Sequence, residues 1–190
     1  MKCNICPRKC NIDRSEKAGF CGMTEKIKIA RAQLHFWEEP CISGEKGSGT
    51  VFFSGCSLGC VYCQNFEISH KNEGKLITPE RLADIFRELE EKGAHNINLV
   101  NPTHYVLAIK EALNIYRPNI PIVYNSSGYE SEETLNIAKE FTDIYLLDFK
   151  ISQVKHVLFV FLSKKKNSDL WEINSFMEKF VCFHLYNDFS

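Results

Sequence analysis

The spacing of apolar positions changes character along this chain. Leu82, Ile85, Phe86 and Leu89 fall at i, i+3, i+4 and i+7 and predict a helix. Thr78 stands at its N-cap, Pro79 at its first position and Gly93 just past its end. A second stripe, Tyr105, Ile109, Leu113 and Tyr116, predicts a helix over residues 104–116, broken by Arg117-Pro118-Asn119. Ser131 is placed to cap a third, with Glu132 and Glu133 favourable in its first turn. Short apolar runs separate these helices and read as strands: Ile97–Val100, Pro121–Tyr124 and Asp143–Leu147. Upstream, Thr50–Phe53 reads as a buried strand, and Lys26–Ala30 alternates like a half-exposed one. Strand–helix–strand repeats of about 25 residues imply right-handed crossovers and a parallel sheet, hence an α/β fold.

Polar clusters follow the strand ends. A cysteine loop follows residue 53, Asn101-Pro102-Thr103-His104 the next strand, Asn125-Ser126-Ser127-Gly128 the third, and Asp148-Phe149-Lys150 the fourth. In parallel sheets and barrels that edge binds ligands. Asn, Pro, Ser and Gly are also ordinary turn formers, which accounts for part of the pattern. Asp148 and Lys150 are different, because charges at the end of an interior strand need a partner or a ligand.

Cysteine usage adds the chemistry. Cys56, Cys60 and Cys63 stand at C-x3-C-x2-C spacing, with Gly55 and Gly59 allowing the tight path that brings three sulfurs together. Three thiolates make a soft-metal site for an iron–sulfur cluster or zinc. On a four-iron cubane, three ligands leave one iron open for chemistry. Cys3, Cys6, Cys10 and Cys21 give a second set, C-x2-C-x3-C-x10-C, in a short segment too small for a core of its own. Zinc or an auxiliary cluster suits it; unligated thiols are the plain alternative. Cys41 stands alone and reads as a small buried hydrophobe. His35 reads as a polar handle at an interface rather than a ligand.

Nine cysteines in 190 residues, eight of them in the first 63, point to ligands rather than disulfides where nothing signals secretion. A net charge of -1 argues against a bulk nucleic-acid or membrane footprint. No apolar run approaches a membrane span and the N-terminus carries no apolar signal region, so the expected compartment is the cytoplasm.

These residues resemble the radical S-adenosylmethionine (SAM) enzymes, whose C-x3-C-x2-C is matched by Cys56, Cys60 and Cys63 and whose aromatic before the last cysteine is matched by Tyr62. Within that group the chain is similar to relatives of pyruvate formate-lyase activating enzyme, in a branch with an N-terminal Cys-Pro-Arg segment. The resemblance rests on Cys6–Cys10, Gly19–Gly22, Ile42–Gly44, Gly93–Val100, Pro102–Tyr105, Tyr124-Asn125 and Gly128–Glu130, and covers residues 1–150. It implies a partial (βα) barrel of about four βα units, with a cysteine-rich segment at 1–49 and the core at 50–150. It further implies a [4Fe–4S] cluster on the three cysteines, with SAM chelating the open iron. Tyr62 would lie against the adenine, while Asn125, Ser126, Asp148 and Lys150 would contact the methionine end. The implied activity is that of an oxidoreductase: one electron from the cluster splits the sulfonium, and the 5′-deoxyadenosyl radical takes hydrogen from a partner protein or small molecule. A flavodoxin- or ferredoxin-type donor would supply the electron; neither nucleic acid nor membrane is expected as a partner.

Two features depart from the resemblance. The Gly-Gly-Glu that binds the SAM amino group in many members is replaced by Asn101-Pro102-Thr103-His104, so Asn101 inherits the location without the contacts. Residues 151–190 lack Gly, Pro, Ala, Thr and Arg yet hold six of the fourteen Phe. That break reads as a reading frame lost after Lys150, which would leave an unpaired strand edge. The alternative is a divergent genuine ending with a strand at 156–162 and a helix at 170–181. Two further functions stay open: a zinc-binding structural or adaptor protein, and a truncated cluster-binding descendant without catalysis.

Overall fold

The computed structural model describes residues 2–148 and 180–184. Strand β1 (Ile27–His35) leads into a short helix α1 (Pro40–Ser43) and strand β2 (Ser48–Phe53). After the cysteine loop come α2 (Phe66–Ser69), β3 (Lys75–Ile77), α3 (Pro79–Glu91) and β4 (Ile97–Val100). A 3-10 turn (Thr103–Tyr105) opens α4 (Val106–Ile115), followed by β5 (Ile122–Ser126), α5 (Glu132–Ala138), β6 (Ile144–Asp148) and β7 (Phe180–His184).

One seven-stranded sheet runs β3-β1-β2-β4-β5-β6-β7. Pairing is parallel from β2 through β7 and antiparallel at β1–β2 and β1–β3. The expected α/β fold of a partial βα barrel is therefore present, with two antiparallel strands added at one edge. Because β1 belongs to this sheet, the sheet crosses the sequence boundary drawn at residue 49. The helix expected over 104–116 begins as a 3-10 turn and becomes α-helical only at Val106.

Local signals account for the helices. Thr78 accepts a bond from the Arg81 N–H, and Ser131 accepts one from Thr134, each satisfying an end donor of its helix. α3 buries Leu82, Ala83, Ile85, Phe86 and Leu89. It packs on β1, β2 and β4 and against α4, which in turn meets α5. The outer face of the sheet (Val51, Phe53, Ile97, Leu99, Ile122, Tyr124) joins those helices in the main core. Full burial of one such side chain is worth about 1.5–3 kcal/mol.

The opposite face differs. There Val123 and Leu146 pack with Ile42 of α1 in a small apolar cluster beside Thr50 and Asn98, both fully buried. Ser48, Asn96 and the Ile42 carbonyl form a hydrogen-bonded chain beneath it.

β6 is paired by β7, so among the described residues its edge is not open. Phe180 and Val181 are strand rather than the end of a helix over 170–181. The strand expected at 156–162, the break after Lys150 and the side chains of Asp148 and Lys150 lie outside the described residues. No helix among the described residues is long and apolar enough to cross a membrane.

Candidate metal and cofactor site

β2, β4, β5 and β6 are parallel, so their C-terminal ends form one edge. The cysteine loop leaves that edge at Ser54 and is fixed from three sides. From the β4 side, the Asn101 side-chain amide donates to the Gly55 carbonyl, and His104 Nε2 donates to the Ser54 carbonyl over 2.7 Å. That bond places the imidazole proton on Nε2. His104 is fully buried, and burial pulls its pKa down to about 4. Asn101 adopts the left-handed conformation (φ 59°), one that Asn tolerates, and this turns its side chain back toward the loop.

From the N-terminal side, Arg8 donates through Nε to the Ser57 carbonyl at 2.8 Å and through Nη2 to the Leu58 carbonyl at 2.9 Å. Its guanidinium lies 3.8 Å from the centre of the Phe20 ring. Arg14 donates to the His104 carbonyl at 2.6 Å and to the Thr24 carbonyl, joining the same segment to the β4 turn. Ser131 and Thr134 of α5 hold the Ile5 carbonyl. Ile5, Cys6, Cys21 and Met23 belong to the main core. The cysteine-rich segment is thus packed over the site rather than standing apart.

The third support is covalent geometry. Gly55 has φ 81°, and a Cβ there would run into the Cys21 carbonyl oxygen, while the Cys56 N–H donates to that same oxygen at 3.3 Å. Downstream, the Ser69 hydroxyl donates to Cys63 Sγ over 3.2 Å, and His70 Nδ1 lies 2.8 Å from that hydroxyl. With the Ser69 proton directed at sulfur, His70 presents Nδ1–H to the oxygen. Phe66 stacks on the His70 ring at 4.5 Å and fixes it.

The donor set fits an iron–sulfur group: three cysteines on one ordered loop, with a hydroxyl donating to the third sulfur. Among the described residues no three His, Cys, Asp or Glu side chains are gathered as the ligands of a single ion. A cubane, which takes each cysteine on a separate iron, does not require that. Cys3, Cys6, Cys10 and Cys21 are unbridged thiols. Burial pushes the Cys6 and Cys21 thiols up, partly offset by backbone bonds from Arg8 and Met23. Cys41, expected to be buried, is exposed, because it lies on the outer side of the single turn α1, whose Ile42 and Ser43 are buried. His35 is half-buried, edge-on to Phe52 at 6.1 Å.

The structure separates two residues that sequence had paired. Asn125 is half-buried on the face it shares with Val123. Ser126 is buried on the opposite face with Tyr124, where Gly128 N–H donates to its hydroxyl at 3.2 Å. Tyr62 is 69% exposed, leaving its ring open to a ligand or solvent. Nothing in the sequence pattern singled out Glu130, although Gly128-Tyr129-Glu130 is one of the segments that carry the resemblance. It is buried between Thr103, which donates to it at 2.7 Å, and Tyr124, which donates at 3.1 Å. Burial raises its pKa above the usual carboxylate range, against the pull of those hydroxyls. Asn98 was also missed; it is fully buried, and neither side-chain amide atom has a hydrogen-bond partner among the described residues.

Comparison with known proteins fits this arrangement. Residues 50–169 match the radical SAM superfamily, well over half of the chain. The chain belongs to the radical SAM superfamily. The match runs 19 residues beyond Lys150, where the resemblance read from sequence stops. An uncharacterized protein of Methanocaldococcus jannaschii is 34% identical over 157 residues, covering 78% of this chain and 45% of that relative. The chain thus spans less than half the length of that curated relative.

Proposed function

We propose that this radical SAM protein is an activating-enzyme relative that cleaves SAM reductively and draws hydrogen from a partner protein or small molecule. The observation that carries the reading is the Cys56–Cys60–Cys63 loop at the C-terminal edge of four parallel strands, gripped from both flanks by Arg8, Asn101 and His104. Cys56, Cys60 and Cys63 would hold the cluster, which when bound supplies the electron that breaks the SAM sulfonium.

The chain's own residues do the remaining work. Asn101 and His104 hold the root of the loop by its carbonyls, so the sulfurs keep one geometry. Ser69 donates to the Cys63 sulfur, a bond of the kind that raises a cluster's potential and favours its reduction. Asn125, half-buried at the same strand edge, is assigned by the resemblance to the amino-acid end of SAM, as are Asp148 and Lys150. Tyr62, exposed beside Cys63, is assigned to the adenine. An external flavodoxin- or ferredoxin-type donor is the proposed electron source. Relation to the glycyl-radical activating branch rests on the shared segments, among them Cys6–Cys10 and Pro102–Tyr105.

Anaerobic reconstitution with iron and sulfide, then dithionite and SAM, tests this. The expected result is a brown protein that releases 5′-deoxyadenosine. Cys56→Ala, Cys60→Ala and Cys63→Ala should each abolish the release. A protein that loads iron fully on these cysteines yet releases none overturns the catalytic reading in favour of a cluster-binding descendant. A colourless protein with stoichiometric zinc on the same loop overturns the cluster itself.

A further inference from the structure

We propose that Cys3, Cys6, Cys10 and Cys21 form a second soft-metal centre, a tetrathiolate site built by the N-terminal segment and distinct from the Cys56–Cys60–Cys63 loop.

Four observations carry it. The sulfurs share one neighbourhood: a Cβ built on Gly19 would lie 3.5 Å from Cys21 Sγ and 3.6 Å from Cys10 Sγ. Cys3, whose N–H donates to the Ile12 carbonyl at 2.7 Å, packs against the core that holds Cys6 and Cys21. A backbone donor is aimed at the third of these sulfurs: Phe20 N–H at Cys10 Sγ over 3.3 Å. A neutral thiol accepts such bonds poorly, whereas a thiolate accepts them well.

The chain is strained at Lys9 and tightly turned at Asn11, where it wraps the third cysteine. Lys9 (φ 44°) and Asn11 (φ 54°), on either side of Cys10, both occupy the left-handed region. The carbonyls of Cys6 and Cys3 accept from Lys9 and Asn11, so these turns are closed in place. Finally, Cys6 and Cys21 sit in the main core with no disulfide to neutralise them. A metal would take them as thiolates and itself supply the cation that buried thiolates need. If these were only small buried hydrophobes, neither the Phe20 amide on Cys10 nor the left-handed turns beside it would be called for.

The centre would also act on its neighbour. The Cys21 carbonyl holds the Cys56 N–H, and Arg8, between Cys6 and Cys10, holds Ser57 and Leu58. Metal on the N-terminal set would therefore fix the backbone that presents Cys56, Cys60 and Cys63. A cubane, holding each sulfur on its own iron, suits sulfurs that are not gathered on one point, whereas a zinc ion would have to draw all four together.

The test uses the full chain with Cys56, Cys60 and Cys63 all changed to Ala, purified and reconstituted anaerobically. It should retain about one zinc or about four irons per chain, the count and the visible spectrum telling which. Adding Cys6→Ser and Cys21→Ser should reduce that content about tenfold. Retention below about a tenth of an equivalent in the triple variant overturns the proposal. Should that variant fold poorly, alkylation of the wild-type protein decides, with exposed Cys41 as internal standard. Cys3 and Cys10, only partly exposed, should react about tenfold more slowly than Cys41 in metal-loaded protein and speed up after chelation. Rates indifferent to chelation overturn the proposal, and neither readout depends on SAM cleavage.

Discussion

Arg8 and Ser57 are 49 residues apart in sequence, yet the Arg8 Nε–H donates to the Ser57 carbonyl over 2.8 Å. Through this bond and its neighbour to Leu58, a side chain from one cysteine set fixes the path of the other. Arg8→Lys keeps the charge but loses the two-pronged grip, so it should behave almost like Arg8→Ala. Loss of about 1–2 kcal/mol of stability is expected from urea unfolding, along with faster alkylation of Cys56 and Cys60. Unchanged alkylation rates would show that the grip does not order the loop.

Gly55→Ala should be more damaging. The new Cβ meets backbone, the Cys21 carbonyl, at a residue held at φ 81°. Strain and overlap together cost about 2–4 kcal/mol. Iron uptake on reconstitution should fall in step, since Cys56 follows directly. Equal iron content in the variant and wild type would contradict this.

His104 gives a pH dependence of known sign. Its pKa is about 4 folded and near 6.5 unfolded, so between those values the unfolded chain binds the extra proton. Stability present above pH 6.5 is lost as pH falls toward 4, by up to about 3 kcal/mol. His104→Gln keeps a donor for the Ser54 carbonyl without titrating, and should flatten this part of the curve. Unfolding midpoints from pH 4 to 7 check it.

Glu130 acts in the opposite direction. Its folded pKa is raised above 4.5, so its contribution is present below that value and lost as pH rises through the folded pKa. Glu130→Gln should remove this falling limb. Thr103→Val should cost about 1–3 kcal/mol by leaving a buried carboxyl oxygen without its donor. If the Glu130→Gln curve keeps the wild-type slope, the buried carboxyl is not its source.

Much of this protein was written locally. The stripe Leu82–Leu89 with its Thr78 cap, and Ser131 before Glu132, specify helices within one or two turns of chain. The strands at 97–100 and 144–148 follow from short apolar runs, and the three cysteines from spacing alone. Alternation along β5, which places Asn125 and Ser126 on opposite faces, was legible too but needed the sheet's two environments to acquire meaning.

The rest depends on contacts between distant segments. Nothing near Arg8 announces Ser57, nothing near Thr103 announces Glu130, and α1 exposes Cys41 because it turns Ile42 and Ser43 inward instead. β3 was missed because three residues are too few to show a period. Sequence by itself determined which atoms are available for a soft metal and which segments are helix or strand, because those are set by residue type and near neighbours. Only the tertiary structure decided that the cysteine-rich segment lies in the core and grips the second cysteine loop, because burial and long-range hydrogen bonds exist only once the chain has closed on itself.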